Sequence, residues 1–422
     1  MSILETLLDP IPIPRMVKVK QNFEHPSIKN PEEEFLNKLA DSGVLHPIMP
    51  NQKIAVAVGS RGITNQPLVV KLLVRELKRL KADPFLVPAM GSHGGATAVG
   101  QKSMLVNMGF NENYIGAPIR AAMEVLQIGT TDNNLPVYFD KLAYEADGVV
   151  IVNRIKPHVA FRGKFESGLM KMIAIGLGKQ QGASICHELG FGRMAENIPA
   201  IGRLALQKSK ILFGIGLLEN ACHETYRIEI LRNEEIEIME PLLLEEARRF
   251  SPKLFFDNLD VLIIDEIGKD ISGTGFDTNV VGRYHTPYAS GGPNITRIAV
   301  LDITNKSHGN ANGLGIADFT TRRAYGKFVF DQTYPNSLTT TVPLSVKIPM
   351  VLKNDRHAIQ AAVKTCNLLD KTRVRMVRIK NTLRLNEIEV SENLIDEVKK
   401  NSHLDILAGP YDLRFDAQGN LF

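Results

Sequence analysis

The sequence predicts an α/β protein of two domains, each with a mostly parallel sheet flanked by helices. Short apolar runs at 53–60, 84–90 and 147–155 end on polar or glycine-marked turns, the pattern of strands buried on both faces. Helical periodicity follows the first two runs, which gives the strand–helix alternation of a parallel sheet. A second series of the same kind begins after SPK at 251–253, a turn signal that reads as a domain boundary.

Taken in order, the chain is irregular to about Asn51, with Pro10, Pro12 and Pro14 breaking it early and two short helices before Pro50. KIAVAVGS (53–60) is the first clear strand. Pro67 to Leu80 is an amphipathic helix with Leu68, Leu72, Leu73 and Leu77 on one face. PFLVPAM (84–90) is a strand, Gly91 to Gly95 a glycine-rich turn, and about Thr97 to Met108 a helix. DGVVIVNRI (147–155) is a strand that runs into KPHVAFRG, with glycine-punctuated helices near 167–177 and 180–189. Lys210 to Gly214 reads as a strand, Tyr226 to Met239 as paired β segments, and Glu240 to Phe250 as a helix.

Beyond the boundary, LDVLIIDEIG (259–268) and IAVLDI (298–303) are strands and a helix lies near 315–326. Asp355 to Leu369 is a helix and VRMVRIKN (374–381) a strand. The domains are therefore drawn at 1–253 and 254–402, with 403–422 a tail that returns to the N-terminal domain.

Composition bounds the function. The 422 residues are 44% apolar and 23% charged, with a net charge of +4. That balance is ordinary for a globular protein and too weakly basic for a nucleic-acid partner. Between Arg154 and Lys179, however, six basic residues face one acidic one, which suits a small anion. Cys186, Cys222 and Cys366 are scattered, which points to a reducing compartment. No signal peptide and no membrane span are expected, so the expected location is cytoplasmic, with an oligomer allowed.

Ligands of open parallel sheets bind beyond the carboxyl ends of the strands. That rule selects Ser60 and Arg61 after the first strand, His93 in GSHGG after the second, and His158 in IKPH after the third. A lone histidine in a loop is more often an ordinary surface residue, which is the reading for His25, His46, His223, His357 and His403. His93 and His158 differ because each follows a buried strand in a Gly/Pro-marked turn. Arg61 is a surface charge or a clamp for a carboxylate. Glycines at 168, 176, 178 and 182 are too frequent for an undisturbed helix and suggest close backbone approach to a ligand. Lys171, among Leu169, Met170, Met172 and Ile173, is either a snorkelling lysine or a desolvated, nucleophilic amine. His187 alone is a weak metal ligand.

These residues resemble the nickel-dependent lactate racemases and related 2-hydroxyacid racemases and epimerases. VGSRG (58–62) occupies the place of the family's D-x-T-R-P, GSHGGAT (91–97) matches its G-x-H followed by threonine, and KPHVAFRG (156–163) its P-H motif. Lys171 after Gly168, with His187 sixteen residues on, matches the fourth. SGTGFDTNVVGRYH (272–285) is a weaker match to a second-domain G-x-P-x-D-x-N motif.

The resemblance implies an isomerase with its active site in the cleft between the domains. Its cofactor would be a nickel-pincer nucleotide, a doubly thiolated pyridinium mononucleotide, delivered by cofactor biosynthesis proteins that bind transiently. It further implies Lys171 as the cofactor tether, with Ser60, Arg61 and Gly168 also on the cofactor, His187 as nickel ligand, and His93 and His158 as acid and base. Arg61, Arg283 and His285 would bind the substrate. Where the family has aspartate, proline, glutamine and lysine, this chain has Val58, Gly62, Gly282 and His285. These changes fall on the substrate side and point to a different hydroxy acid, lactate-like or larger, such as a sugar acid. Two rival readings are a metal-dependent hydrolase or lyase using the same histidines, with Glu166 and Glu188 as carboxylate ligands, and a non-catalytic small-anion or cofactor-binding protein.

Overall fold

A computed structural model describes residues 2–421. The chain forms two compact units, one of residues 24–251, the other of residues 252 onward together with the chain up to Phe23. Strands are numbered along the chain: β1 (Met16–Gln21), β2 (Lys53–Val58), β3 (Asp83–Pro88), β4 (Val125–Thr130), β5 (Pro136–Asp140), β6 (Gly148–Arg154), β7 (Ile211–Glu219) and β8 (Thr225–Arg232). They continue with β9 (Asn258–Ile264), β10 (Asn294–Val300), β11 (Phe319–Thr321), β12 (Met350–Leu352), β13 (Met376–Ile379), β14 (Glu387–Ser391) and β15 (Leu404–Tyr411).

In the 24–251 unit the sheet order is β3-β2-β6-β7-β8, parallel throughout except for β8. β4 and β5 form a separate antiparallel hairpin. The parallel strands are nearly continuous apolar runs because helices cover them. Helix Gln66–Arg79 lays Val69, Val70, Leu73 and Leu77 on a core that contains Ile54, Val56, Val58 and Val150. Pro67 starts that helix where its missing N–H is not needed. Val58 is fully buried here, so the family's aspartate position belongs to the hydrophobic core of this chain.

The other unit is an eight-stranded sheet, order β12-β11-β10-β9-β13-β14-β1-β15. Strands β9 to β13 are mutually parallel; β14, β1 and β15 complete the sheet in antiparallel fashion. Helix Asp355–Thr365 packs Ala358, Ile359 and Ala362 against Val261 and Ile263. Among the described residues no helix is long and apolar enough to cross a membrane.

Several elements differ from the sequence reading. β1 was read as irregular, yet MVKVKQ alternates well enough to bury Met16, Val17 and Val19 between β14 and β15. The chain passes between units within two residues of SPK. Its first residues, drawn with the N-terminal domain, pair instead with the later unit, and so does the tail through β15.

Residues 233–239 are not β: Asn233–Arg249 is one helix that buries Ile236, Glu240, Leu243, Leu244 and Ala247 at helical spacing. The Arg232 N–H donates to Glu235 Oε2 at 2.8 Å and fixes its start. The helix near 315–326 is instead a turn at Leu314–Ile316, strand β11 and a short helix Arg322–Gly326. His357, read as a surface residue, is buried with Nε2 3.0 Å from Asp9 Oδ1.

Candidate active site

Strands β3, β2 and β6 lie side by side with Val58 level with both Pro88 and Val152, so their carboxyl ends open on one edge. Ser60 and Arg61 follow β2, the turn with His93 follows β3, and Lys156 and His158 follow β6. The sheet therefore assembles what the sequence separates by nearly a hundred residues. Ser60 Oγ lies 2.6 Å from His93 Nδ1, so the serine expected on the cofactor orients an imidazole here. Gly94 has φ +66°, and a Cβ there would come within 2.7 Å of the Gln101 amide nitrogen, so only glycine allows the turn after His93.

A buried network that sequence reasoning missed supports this turn. Gln101 Nε2 donates to the carbonyls of Gly91 (2.9 Å) and His93 (3.2 Å). Lys179 Nζ holds Gln101 by donating to its Oε1 at 3.2 Å, and donates to Pro88 O at 2.6 Å. The Lys179 ammonium also lies 2.9 Å from Asp140 Oδ2, both side chains fully buried. This is a close charge contact and not a well-aligned hydrogen bond, since Asp140 Oδ2 has no bonding partner of good geometry. Burial, opposed by the partner's charge, raises the Asp140 pKa and lowers that of Lys179. No motif marks these residues; only the folded chain brings 101, 140 and 179 together.

The loop after β6 is organised by Glu166, which is fully buried. Its carboxylate accepts from the N–H of His158 (2.6 Å) and of Gly163 (3.1 Å), and from Arg248 Nη2 (2.5 Å). Arg162, itself bonded to the His158 carbonyl at 2.7 Å, lies 3.6 Å away. Glu166 thus holds His158 in place and has its oxygens occupied, and Glu188 is exposed. Among the described residues no three His, Cys, Asp or Glu side chains converge as a ligand set. A metal would have to bring other ligands with it, so the hydrolase reading loses its carboxylates.

His158 and Lys171 meet directly, Nζ to Nε2 at 2.6 Å. The Ala160 N–H donates to His158 Nδ1 at 3.1 Å. A neutral imidazole whose Nδ1 accepts carries its proton on Nε2. That proton points at Lys171 Nζ, which must offer a lone pair. The electrostatics agree: chiefly through desolvation, with Arg61 and Lys156 adding like charge against the opposing Cys186 and Glu166, the Lys171 pKa falls to about 8. Among the described residues Lys171 forms no ion pair with a carboxylate.

Lys171 closes a short helix, Leu169–Lys171, that continues as a π-helical turn, Met172–Gly176. Buried Glu240 caps the helix, its Oε2 accepting from the Met170 N–H at 2.8 Å. A Cβ on Gly168 would lie 2.0 Å from Glu240 Oε1. Gly168, expected on the cofactor, is therefore needed for this cap. The turn touches the His93 strand end, where the Gly91 N–H donates to Gly176 O at 3.2 Å. A Cβ on Gly176 would come 2.7 Å from Ala89 O.

His187 is buried on helix Lys179–Glu188, with Nδ1 2.7 Å from Ala183 O. Donation to that carbonyl places the lone pair on Nε2. Burial holds the pKa down at about 4, so the ring is neutral, as a metal ligand must be. Phe191 packs on it edge-on at 5.7 Å and also reaches His158 at 6.0 Å, while Phe161 lies 4.5 Å from His158. Arg61 is half-buried, and desolvation first and Arg154 second lower its pKa to about 10, still charged at neutral pH. Arg154 itself pairs with Glu219.

Arg283 and His285 lie in the later unit. The Arg283 guanidinium is engaged there by Asp318 Oδ2 (2.6 Å) and by the carbonyls of Ile295 (2.9 Å), Thr296 (3.0 Å) and Ile316 (3.3 Å). His285 is buried, and desolvation, with Lys269 second, lowers its pKa to about 4. Gly282 has φ +71° and would place a Cβ 2.0 Å from Pro293 O, which excludes a glutamine in this backbone.

Residues 10–197 match the family described as lactate racemase N-terminal domain. No curated protein matches the chain. Among solved structures, the lactate racemase apoprotein from Thermoanaerobacterium thermosaccharolyticum is 15% identical, with a TM-score of 0.45 over 68% of this chain and 74% of that one.

Proposed function

From the match of residues 10–197 to the lactate racemase N-terminal domain we propose that the chain belongs to that family and racemises or epimerises a 2-hydroxy acid. The observation that carries this reading is the Lys171 amine, packed 2.6 Å from His158 Nε2 inside the matched residues with its pKa lowered to about 8. The residues also fit the family's cofactor. A thioamide link needs an unprotonated amine, which the lowered pKa of Lys171 makes more available, and nickel needs a neutral imidazole nitrogen with a lone pair, which His187 Nε2 offers. Lys171 would tether the nickel-pincer nucleotide and His187 would ligate its metal. When bound, that group supplies a hydride acceptor, which a polypeptide lacks.

The chain's own residues do the rest. The C2–H of a 2-hydroxy acid is poorly acidic, so the hydroxyl proton must be removed as a hydride leaves C2. His93 and His158 are the acid–base pair, one for each substrate hand; His158, with its proton on Nε2, enters as the proton donor and serves as the base when the reaction runs in reverse. Ser60 orients His93, and Glu166 and the Ala160 N–H orient His158. Arg61 holds the substrate carboxylate. Buried Phe161 and Phe191 keep water from the reacting side of His158.

Co-expression with the cofactor-making proteins, followed by intact mass measurement, tests the attachment: an adduct is expected on the native chain and not on Lys171→Ala. In the loaded enzyme, His93→Ala and His158→Ala should each reduce epimerisation of the responsive hydroxy acid by about 10²–10⁴-fold. Full activity in both variants would refute the assignment.

A further inference from the structure

We propose that, before any cofactor is attached, Lys171 is an imine-forming lysine for small 2-oxo acids, its amine taking the carbonyl carbon while Arg61 and Lys156 favour the carboxylate. This rests on the preceding reading only for the ligand class, because a 2-oxo acid is the planar species produced when a hydride leaves a 2-hydroxy acid. The reactivity itself follows from the geometry. The proton of His158 Nε2 is directed at Nζ from 2.6 Å and Nδ1 is occupied by the Ala160 N–H, so the amine presents a lone pair. Lys171 retains partial exposure, so a small carbonyl compound has access. Both Arg61 and Lys156 are close enough to act on its charge.

The step balances without an oxidant or reductant. The Nζ lone pair bonds to the carbonyl carbon, and the C=O π pair moves to oxygen, which takes the proton of His158 Nε2. The imidazole regains a proton from nitrogen. The second nitrogen proton and the oxygen then leave in water as C=N forms. A 2-oxo acid and the cofactor would therefore compete for one nitrogen.

The test uses the full-length chain purified without cofactor-making proteins. It is treated with glyoxylate and cyanoborohydride, which reduces an imine to a stable carboxymethyl amine, and the modified lysines are mapped by peptide mass. A pKa of about 8 leaves about a hundredfold more free amine near pH 7 than an ordinary lysine has. Lys171 should accordingly be modified about a hundredfold faster than exposed Lys208 and Lys306, with a rate that levels off above about pH 8. Glyoxylate should outpace propionaldehyde at Lys171 but not at the two reference lysines. Lys171 reacting no faster than Lys208 and Lys306 would overturn the proposal, and equal rates with both aldehydes would overturn the part assigned to Arg61 and Lys156. The measurement is made on native sequence, so it does not depend on whether a variant folds. It also needs no cofactor: a chain that forms the imine but never gains the nucleotide adduct would refute the racemase reading and leave this one standing.

Discussion

Glu240 is a carboxylic acid at the head of the helix that carries Lys171, and burial raises its pKa from 4.5 to about 8. The folded state therefore prefers the protonated form, while the unfolded chain ionises above about 4.5. The stability contributed by this group is fully present below pH 4.5 and is lost as pH rises through about 8. Glu240→Gln should remove that dependence. Unfolding free energies of the two proteins should be similar at low pH and diverge with rising pH, the wild type falling by an amount on the order of a few kcal/mol. Parallel curves would show that Glu240 is ionised in the folded protein. The positions of His93 and His158 were legible in the sequence because strand ends are. The state of the Lys171 amine was not, because it depends on a backbone N–H at 160 and on burial supplied by distant helices.

At the scale of elements, the π-helical turn Met172–Gly176 follows Lys171 directly and is bonded to the His93 strand end through Gly176 O. An i→i+5 turn widens the helix, and such turns concentrate at functional sites. Gly176 is where the backbone meets Ala89 O, so Gly176→Ala must separate the two. The expected loss is about 1–3 kcal/mol of unfolding free energy, with slower cofactor attachment at Lys171, read by thermal melts and intact mass. An unchanged melt and an unchanged attachment rate would show that the contact is dispensable. Of the glycines at 168, 176, 178 and 182, the first three make close contacts within the protein, with Glu240, with Ala89, and with Ala174 and Gly182 respectively, while Gly182 makes only ordinary ones. Helix 233–249 was misread because Ile236 and Ile238 alternate with glutamates as a strand would; burial of Ile236 with Leu243, Leu244 and Ala247 overrides that local pattern.

Across the whole molecule, the five strands of the first sheet all come from residues 24–251, whereas the second sheet needs β1 between β14 and β15. A fragment of residues 24–251 should therefore fold alone, giving a cooperative melt. Residues 252–422 should do so only when 1–23 are supplied, as a peptide or a fusion. A cooperative melt of 252–422 by itself would show that β1 is an accessory strand. The apolar strands and their parallel order were legible because each is a local run. The placement of β1 was not, because a strand's partner is a non-local choice.

That placement also sets a schedule. Synthesis proceeds from the N-terminus and domains fold as units, so the unit bearing Lys171 is complete in the nascent chain long before residues 387–411 exist. β1 leaves the ribosome well before its partners β14 and β15 are made. For that interval the reactive amine is already assembled on an unfinished protein, and chemistry at Lys171 has a window that opens before translation ends.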